Sequence, residues 1–337
     1  MRTLAATLLA TAATATIIDE SQMAFINYMG KFGKSYGDAV EFNLRFSLWR
    51  KMDMEITRFN MTEITSVHGH NHLSDWTAAE KQGLTGLKNV ARDPQYDSTD
   101  SYFQADPESL GALPASVDWV TVSPAVVNPV QDQGQCGSCW AFSATATLES
   151  SMAINLGTLY KFSEQNFVSC SFKQGNLGCN GGMYGRAWNY AKTSPVEYES
   201  DYPYTSGTTM KSGSCMYNAA LGHGQVSSHT SIGTDNTSIM TALVGMPASI
   251  ALEADTAYFQ SYTSGVLTCA SCCGTTLDHA VVAVGYGTDP TAGPYYLVRN
   301  SWGTSWGDQG YLKIGQAPAP GICGMNQDVM TVLGMEV

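Results

Sequence analysis

The most informative stretch of this 337-residue sequence is Pro129-Val-Gln-Asp-Gln-Gly-Gln-Cys-Gly-Ser-Cys-Trp-Ala-Phe-Ser143, which holds Cys139. Small or apolar side chains continue at a spacing of four, which predicts one face of a helix: Trp140, Ala144, Leu148 and Met152. A cysteine that opens a helix meets unpaired backbone N–H groups and the positive end of the helix dipole, and both favour the thiolate. We therefore expect Cys139 to be a nucleophile.

The alternative for Cys139 is a place in a disulfide. The chain contains nine cysteines, an odd number that leaves one unpaired or paired between molecules: Cys136, Cys139, Cys170, Cys179, Cys215, Cys269, Cys272, Cys273 and Cys323. The count weighs against this alternative without deciding which cysteine is free.

Two further segments supply the partners that a thiolate needs. His279 enters a run of small and branched apolar residues that is typical of a buried strand, and Asn300 lies beside two tryptophans. An imidazolium can hold the charge of a thiolate and later protonate the leaving amine, and a third group must fix the orientation of the ring. Each residue alone is more typical of a core histidine or a turn, but together with Cys139 they predict nucleophilic catalysis.

These motifs resemble those of papain-family cysteine proteases, close to the cathepsin L branch. Cys136-Gly-Ser-Cys-Trp140 matches the family signature around the nucleophile. His279 follows Cys139 at a separation inside the family range of roughly 130 to 150 residues, and Asn300 lies somewhat beyond it. The resemblance extends from about residue 20 to the last expected strand.

Charge and the first residues indicate where the protein is made and acts. The chain has 17 basic and 29 acidic residues, and this net charge of −12 weighs against binding to nucleic acid or anionic membranes. Residues 1–16 combine an early positive charge, a short apolar stretch and small residues, which predicts a secretory signal peptide. We expect a soluble protein of the secretory pathway, destined for the lysosome, an acidic vacuole or the extracellular space, with disulfides.

Residues 17–112 contain no cysteine and resemble an inhibitory propeptide. The helix motif of cathepsin L propeptides is matched at Glu41, Arg45, Ile56 and Asn60, with departures at Trp49 and Met52. A second motif is matched at Gly69, Asn71 and Asp75, with Leu73 in place of an aromatic residue. The resemblance implies docking on a sheet lobe, with Asp75 as the expected acid sensor. His68, His70 and His72 alternate here, a pattern open to metal binding, pH sensing or plain solvation.

Residues 93–111 contain two prolines and lack a sustained period, which predicts an extended linker. We expect this linker to lie in the substrate cleft. The segment Leu113-Pro-Ala-Ser-Val-Asp-Trp119 resembles the start of mature family members, so residues 113–337 are the expected peptidase domain.

Helix signals dominate residues 124–220, whereas residues 248–332 alternate branched and aromatic side chains with glycine turns. This division predicts an α+β fold with two lobes. The resemblance implies a papain-like fold: a helical lobe that carries Cys139, a β-barrel-like lobe that carries His279 and Asn300, and a cleft that binds peptide in extended form. The N-terminal propeptide is expected to be helical.

Eight cysteines other than Cys139 can form four bridges. The resemblance implies Cys136 with Cys179 and Cys170 with Cys215. It also pairs Cys323 with the cluster Cys269, Cys272 and Cys273, where three candidates replace the usual one. Cys269 and Cys272 have the spacing of zinc ligands too, but no second pair completes such a site, so no metal is expected.

The resemblance also implies roles in the cleft. The Gln133 side chain and the Cys139 backbone N–H would stabilise the oxyanion, and Trp302 would shield the His279–Asn300 contact. Asp328 would lie at the floor of the S2 pocket, where its carboxylate could accept arginine at P2 as well as leucine or phenylalanine. The alternative is that Asp328 turns to solvent and leaves a plain apolar preference. The residues implied in substrate binding are Gly181, Gly182, Met183, Ala251, Leu277, Asp278, Trp302 and Asp328.

We therefore expect a monomeric, cofactor-free cysteine endopeptidase that is made as an inactive precursor and acts on peptides and proteins. Its own propeptide is the expected inhibitor. One alternative is an acyltransferase or transpeptidase that passes the same acyl group to an amine or thiol. The other is an inactive binding or storage homologue, which the presence of Cys139, His279 and Gln133 disfavours.

Overall fold

The computed structural model describes residues 19–87, 93–106, 108 and 111–336. The expected signal peptide lies outside these ranges. Within them, every helix is too short or too polar to cross a membrane.

The expected propeptide forms three helices and two short strands. Each helix begins after a capping residue whose side chain accepts a backbone hydrogen bond, namely Asp19, Asp38 and Thr77. In chain order the elements are α1 (Glu20–Phe32), α2 (Ala39–Thr62), β1 (Ser66–His68), α3 (Ala78–Gln82) and β2 (Ser101–Phe103).

The remaining chain starts with a short strand and a set of helices. These are β3 (Val117–Asp118), α4 (Cys139–Leu156), α5 (Glu164–Cys170), α6 (Tyr184–Ala191), β4 (Val196–Glu197) and α7 (Ser206–Thr209). Strands then dominate: β5 (Gly222–Ile232), α8 (Asn236–Gly245), β6 (Ala248–Leu252), α9 (Ala257–Gln260), β7 (Tyr262–Leu267), β8 (His279–Asp289), β9 (Gly293–Arg299), β10 (Tyr311–Gly315) and β11 (Val329–Glu336). Single 3-10 turns cover Ser171–Gln174, Gly178–Asn180, Ala219–Leu221 and Ile322–Gly324.

Helix α4 begins at Cys139, as the apolar spacing predicts. The spacing predicts one buried face, but every side chain from Cys139 to Ala153 is buried. The reason is its position, because α4 packs against α5 and α6 on one side and against β6, β8 and β11 on the other. The helix that carries the cysteine is therefore held rigidly inside the domain.

The strands form one sheet in the order β1-β7-β10-β9-β8-β6-β11-β5-β2, with β3 paired to β8 and β4 to β5. Both outer strands on this path come from the expected propeptide. Strand β1 pairs antiparallel with β7, and β2 pairs parallel with β5. The N-terminal unit thus covers both edges of the sheet.

Two large apolar cores define two lobes. One core lies among α4, α5 and α6 and includes Trp140, Phe167 and Trp188. The other lies against the sheet and includes Tyr296 and Trp306. The predicted α+β arrangement, with a helical lobe, a sheet lobe and a helical N-terminal unit, is confirmed.

The expectation that residues 93–111 are a linker within the cleft is wrong. Ser101–Phe103 form strand β2, and Asp97 is ion-paired with Arg186 on helix α6. The backbone that reaches Cys139 belongs instead to an earlier segment, Gly83–Leu87. Charge pairing and the open edge of β5 draw the later segment away from the cleft.

Candidate active site

The cleft contains a single free thiol. All nine cysteines lie in the described ranges, and Cys139 alone has no disulfide partner. It is fully buried at the first turn of α4, where Ser138 makes no side-chain cap. The backbone N–H groups at this helix end are therefore not used by a capping side chain.

The other eight cysteines form four disulfides. Cys136 is bonded to Cys179 and Cys170 to Cys215. In the cluster that the sequence leaves open, Cys273 is bonded to Cys323 and Cys269 to Cys272. The last bond uses both sulfurs that the zinc alternative needs, although the Glu63 carboxylate lies close to them.

His279 and Asn300 are in direct contact below the cleft. Asn300 Oδ1 accepts hydrogen bonds from His279 Nε2 at 2.8 Å and from the Ser301 backbone N–H at 2.7 Å. The Trp302 ring is fully buried, with its centre 4.7 Å from the imidazole centre. A neutral ring that donates from Nε2 keeps Nδ1 as its basic nitrogen.

The thiol and this histidine meet where α4 faces the start of strand β8. The backbone N–H of Ala280, the residue after His279, interacts with the Cys139 sulfur. The two lobes therefore bring together a nucleophile and a base that are far apart in sequence.

The Gln133 side-chain amide points into the same cleft. Its Nε2 donates to the carbonyl oxygens of Cys136, Leu84 and Gly83, at 3.0, 3.1 and 3.2 Å. Its Oε1 accepts from Ser301 Oγ at 2.8 Å, which fixes the orientation of the amide. The sequence does not indicate this role of Ser301, because it depends on a bond to a residue far away in the chain.

The segment Gly83–Leu87 of the N-terminal unit crosses the cleft directly over the thiol. Gly86 donates its N–H to Cys139 Sγ at 3.2 Å and accepts from the Gly182 N–H at 3.0 Å. Leu87 donates its N–H to the Asp278 carbonyl at 2.9 Å. Main-chain groups that line the cleft are thus occupied by this segment.

Burial changes the protonation of the pair. It raises the pKa of the Cys139 thiol to about 12, although N–H groups of Ala280 and Gly86 favour the thiolate. Burial lowers the pKa of His279 to about 4, against the opposite effect of its bond to Asn300. While the segment covers the thiol, burial therefore opposes the thiolate that a helix end favours.

Leu87 adds its side chain to the apolar core beside the cleft. Leu87 belongs to the same buried cluster as Met183 and Ala251, with Leu277 packed against it. Asp328 is buried beside them, and its carbonyl oxygen accepts from the Ala251 N–H at 3.1 Å. Gly181 has a backbone role instead, because its φ of 124° shapes the turn before Gly182.

Comparison with known families agrees with this fold and site. Residues 113–333 match the model of "Papain family cysteine protease", and residues 25–80 match the "Cathepsin propeptide inhibitor domain (I29)". The chain belongs to the papain family of cysteine proteases. It is a cysteine endopeptidase made as a precursor that carries its own inhibitory propeptide.

Individual relatives point to the cathepsin L branch. The chain is 37% identical over 295 residues to digestive cysteine proteinase 2 of Homarus americanus, covering 86% of this chain and 88% of that protein. It is 38% identical over 280 residues to procathepsin L of Mus musculus, covering 80% of each. Digestive procathepsin L2 proteinase of Tenebrio molitor superimposes with a TM-score of 0.82 at 30% identity, over 93% of this chain and 100% of that one.

Proposed function

We propose that Cys139 is the nucleophile of this endopeptidase and His279 its acid and base. The observation that carries the proposal is the position of the one free cysteine, which opens helix α4 beside the His279–Asn300 pair. Asn300 holds the ring, and Trp302 keeps water from their hydrogen bond. Gln133 completes the set as an oxyanion donor.

The reaction proceeds through an acyl-enzyme. His279 Nδ1 takes the thiol proton, and the thiolate attacks the scissile carbonyl carbon, forming a C–S bond and a tetrahedral oxyanion. Gln133 Nε2 and the Cys139 backbone N–H donate to this oxygen. The C–N bond then breaks as His279 protonates the leaving amine. His279 then deprotonates a water molecule, which attacks the thioester; the C–S bond breaks, the acid is released, and Cys139 recovers the proton from His279.

Removal of the propeptide is what makes the pair reactive. With Gly83–Leu87 in place, burial favours the neutral thiol and the neutral ring. Solvent in an open cleft lowers the desolvation penalty on both charged forms, so the thiolate–imidazolium pair becomes accessible. The proposed division is a signal peptide at residues 1–16, a propeptide at 17–112 and a mature monomer at 113–337.

The proposed setting is an acidic compartment of the secretory pathway or the extracellular space. The precursor is silent near neutral pH and matures at about pH 4 to 5, where aspartate and glutamate take up protons. Mature enzyme binds extended peptides by the main chain at Gly182 and Asp278. An apolar side chain, standing where Leu87 lies, fills the pocket of Met183, Ala251 and Leu277.

Replacement of the nucleophile tests the proposal. We expect Cys139→Ala to abolish hydrolysis of a fluorogenic peptide after acid treatment, with the thermal midpoint of unfolding retained because a small residue still opens the helix. In activated wild type, iodoacetamide should modify one thiol rapidly, and peptide mapping should place it at Cys139. Appreciable turnover by the purified variant would show that another group is the nucleophile.

A further inference from the structure

Residues 93–106 bind the peptidase domain mainly beside the cleft, which they approach at a small cavity that Asp97 and Ser98 share with Met183. The described hydrogen bonds and ion pairs of this segment go to helix α6, strand β5 and the start of helix α8. The cleft segment Gly83–Leu87 is held by other residues, namely Gln133, Cys139, Gly182 and Asp278. The propeptide is thus attached in two places.

Two carboxylates anchor the segment to cations of α6 and its end. Asp97 makes a bidentate pair with Arg186, with Nε to Oδ1 at 2.6 Å and Nη2 to Oδ2 at 2.9 Å. Only 4% of the Arg186 side chain is exposed. Asp100 pairs with Lys192 at 2.7 Å and accepts from the His229 backbone N–H at 2.9 Å. Buried bidentate pairs of this kind are strong and geometrically selective.

A strand and a hydroxyl continue the contact. Ser101–Phe103 add to the edge of β5 in parallel, and the Gly233 N–H donates to the Phe103 carbonyl at 2.8 Å. Ser238 Oγ accepts from Gln104 Nε2 at 2.8 Å and from the Ala105 N–H at 3.0 Å. Main-chain pairing of this type provides affinity, whereas the flanking charges provide selectivity.

The peptidase domain is poor in positive charge, which makes this placement informative. Between residues 113 and 337 the only cationic Lys and Arg side chains in the sequence are Lys161, Lys173, Arg186, Lys192, Lys211, Arg299 and Lys313. Two of them face this one segment. Loss of residues 93–106 would take the Asp97 carboxylate away from the buried Arg186 guanidinium. It would also leave the edge of β5 without a neighbouring strand, and both changes are unfavourable.

We propose that the peptidase domain has a second peptide-binding site, formed by Arg186, Lys192 and the β5 edge, whose occupant is residues 93–106 of its own chain. The site takes an extended acidic peptide with carboxylates three residues apart before a short aromatic strand. It works independently of the cleft, so it holds this segment after Gly83–Leu87 has been displaced. The inference rests on removal of the propeptide during activation.

Binding in trans tests the site. Activated enzyme whose N-terminus has been sequenced and found beyond residue 106 is alkylated at Cys139. It is then titrated into a fluorescein-labelled synthetic peptide of residues 93–106, with anisotropy as the readout. We expect saturable binding that weakens at least tenfold when the peptide carries Asp97→Asn, because the buried pair with Arg186 is lost. The enzyme variant Lys192→Gln should weaken it several-fold.

The substitution that breaks the main anchor is placed in the peptide, so misfolding of the enzyme cannot imitate the result. Gln95→Ala, at an exposed side chain, is the matched control and should bind as the wild-type peptide does. The peptide should leave hydrolysis of a short fluorogenic substrate by unalkylated enzyme unchanged. Absence of saturable binding, equal binding of Asp97→Asn, or competitive inhibition would each overturn the second site.

An activated chain that still contains residues 93–106 calls for a different measurement. A docked segment should resist limited chymotrypsin cleavage after Tyr102 and Phe103, and Asp97→Asn with Asp100→Asn should expose it. Equal cleavage of both proteins would contradict the inference. Failure of the proposed catalytic function can be distinguished from failure of this inference. The first would appear as an absence of substrate hydrolysis, whether or not the peptide binds.

Discussion

Gly86 shows at the scale of one residue how the thiol is covered. A Cβ built at this position would collide with the Gly137 carbonyl oxygen and would lie 2.7 Å from the Gly137 carbonyl carbon and 3.1 Å from Cys139 Sγ. The reason for glycine is space rather than an unusual φ, because backbone meets backbone here. Any side chain at this position pushes the segment off the nucleophile.

The substitution Gly86→Ala should therefore weaken inhibition of the precursor by its propeptide. We expect the inhibition constant of the isolated propeptide against mature enzyme to rise at least tenfold, because a modest backbone displacement costs ~1.4 kcal/mol. Neutral-pH activity of the intact precursor should rise with it. Gly30→Ala, where a Cβ meets nothing within 4 Å, is the control and should change neither quantity. If the Gly86→Ala and Gly30→Ala propeptides inhibited the mature enzyme equally well, this steric explanation would be wrong.

Asp328 is the residue on which the predicted substrate preference depends. A carboxylate at the base of an apolar pocket would accept arginine as well as leucine or phenylalanine at P2. In Asp328→Ala, kcat/KM for P2 Arg relative to P2 Phe should fall about tenfold, equivalent to ~1.4 kcal/mol. The neighbouring exposed Gln327→Ala should keep the ratio of wild type. An unchanged ratio in Asp328→Ala would mean that its carboxylate does not reach the pocket.

Strand β1 carries a titratable group into the interface between propeptide and enzyme. The His68 ring is hydrogen-bonded to Ser66 Oγ at 3.1 Å and to Ser261 Oγ at 3.0 Å, and it packs on Tyr258. Burial lowers its pKa to about 4. By contrast, the Asp75 carboxylate bonds to Tyr28, Tyr36 and Lys34 within the propeptide, so Asp75 supports the fold of the inhibitor itself.

Docking should therefore depend on pH through His68. A free histidine has a pKa near 6.5, so the docked state binds its proton less readily. Its contribution is complete above about pH 6.5 and is lost as pH falls toward 4, at about one log unit of inhibition constant per pH unit. His68→Gln should remove about one log unit per pH unit from that slope, measured with isolated propeptide. His70→Gln, whose ring stacks on Trp49 inside the propeptide, should leave the slope of docking nearly unchanged.

Elements differ in how far the sequence predicts them. Helix α2 and the start of α4 follow from the local spacing of side chains, and both lie where the pattern places them. Strand β2 has no period of its own and forms only because β5 offers an edge, so no local signal could indicate it. Gly83–Leu87 can cover the thiol only because its backbone fits closely against the cleft. Ser301 orients Gln133 only through a hydrogen bond across the cleft. Both need the assembled lobes.

At the scale of the whole molecule, the propeptide is tied to the sheet at both edges, through β1 on β7 and β2 on β5. The segment over the thiol lies between these two attachments in the chain. It is therefore a tethered inhibitor whose effective concentration, of the order of millimolar for short linkers, does not depend on dilution. A modest intrinsic affinity of this segment for the cleft is then sufficient to inhibit the precursor completely.

One cut between the attachments changes the order of the reaction. With a protease site inserted between Leu87 and Asp93, the nicked precursor should gain activity at neutral pH on hundredfold dilution, because inhibition has become bimolecular. The uncut protein should show the same low specific activity at every concentration. If the specific activity of the nicked protein were also independent of dilution, the tethered-inhibitor explanation would be wrong. Activation in a crowded vesicle and in open extracellular fluid would then differ for the same enzyme, since a freed inhibitor rebinds in one and diffuses away in the other.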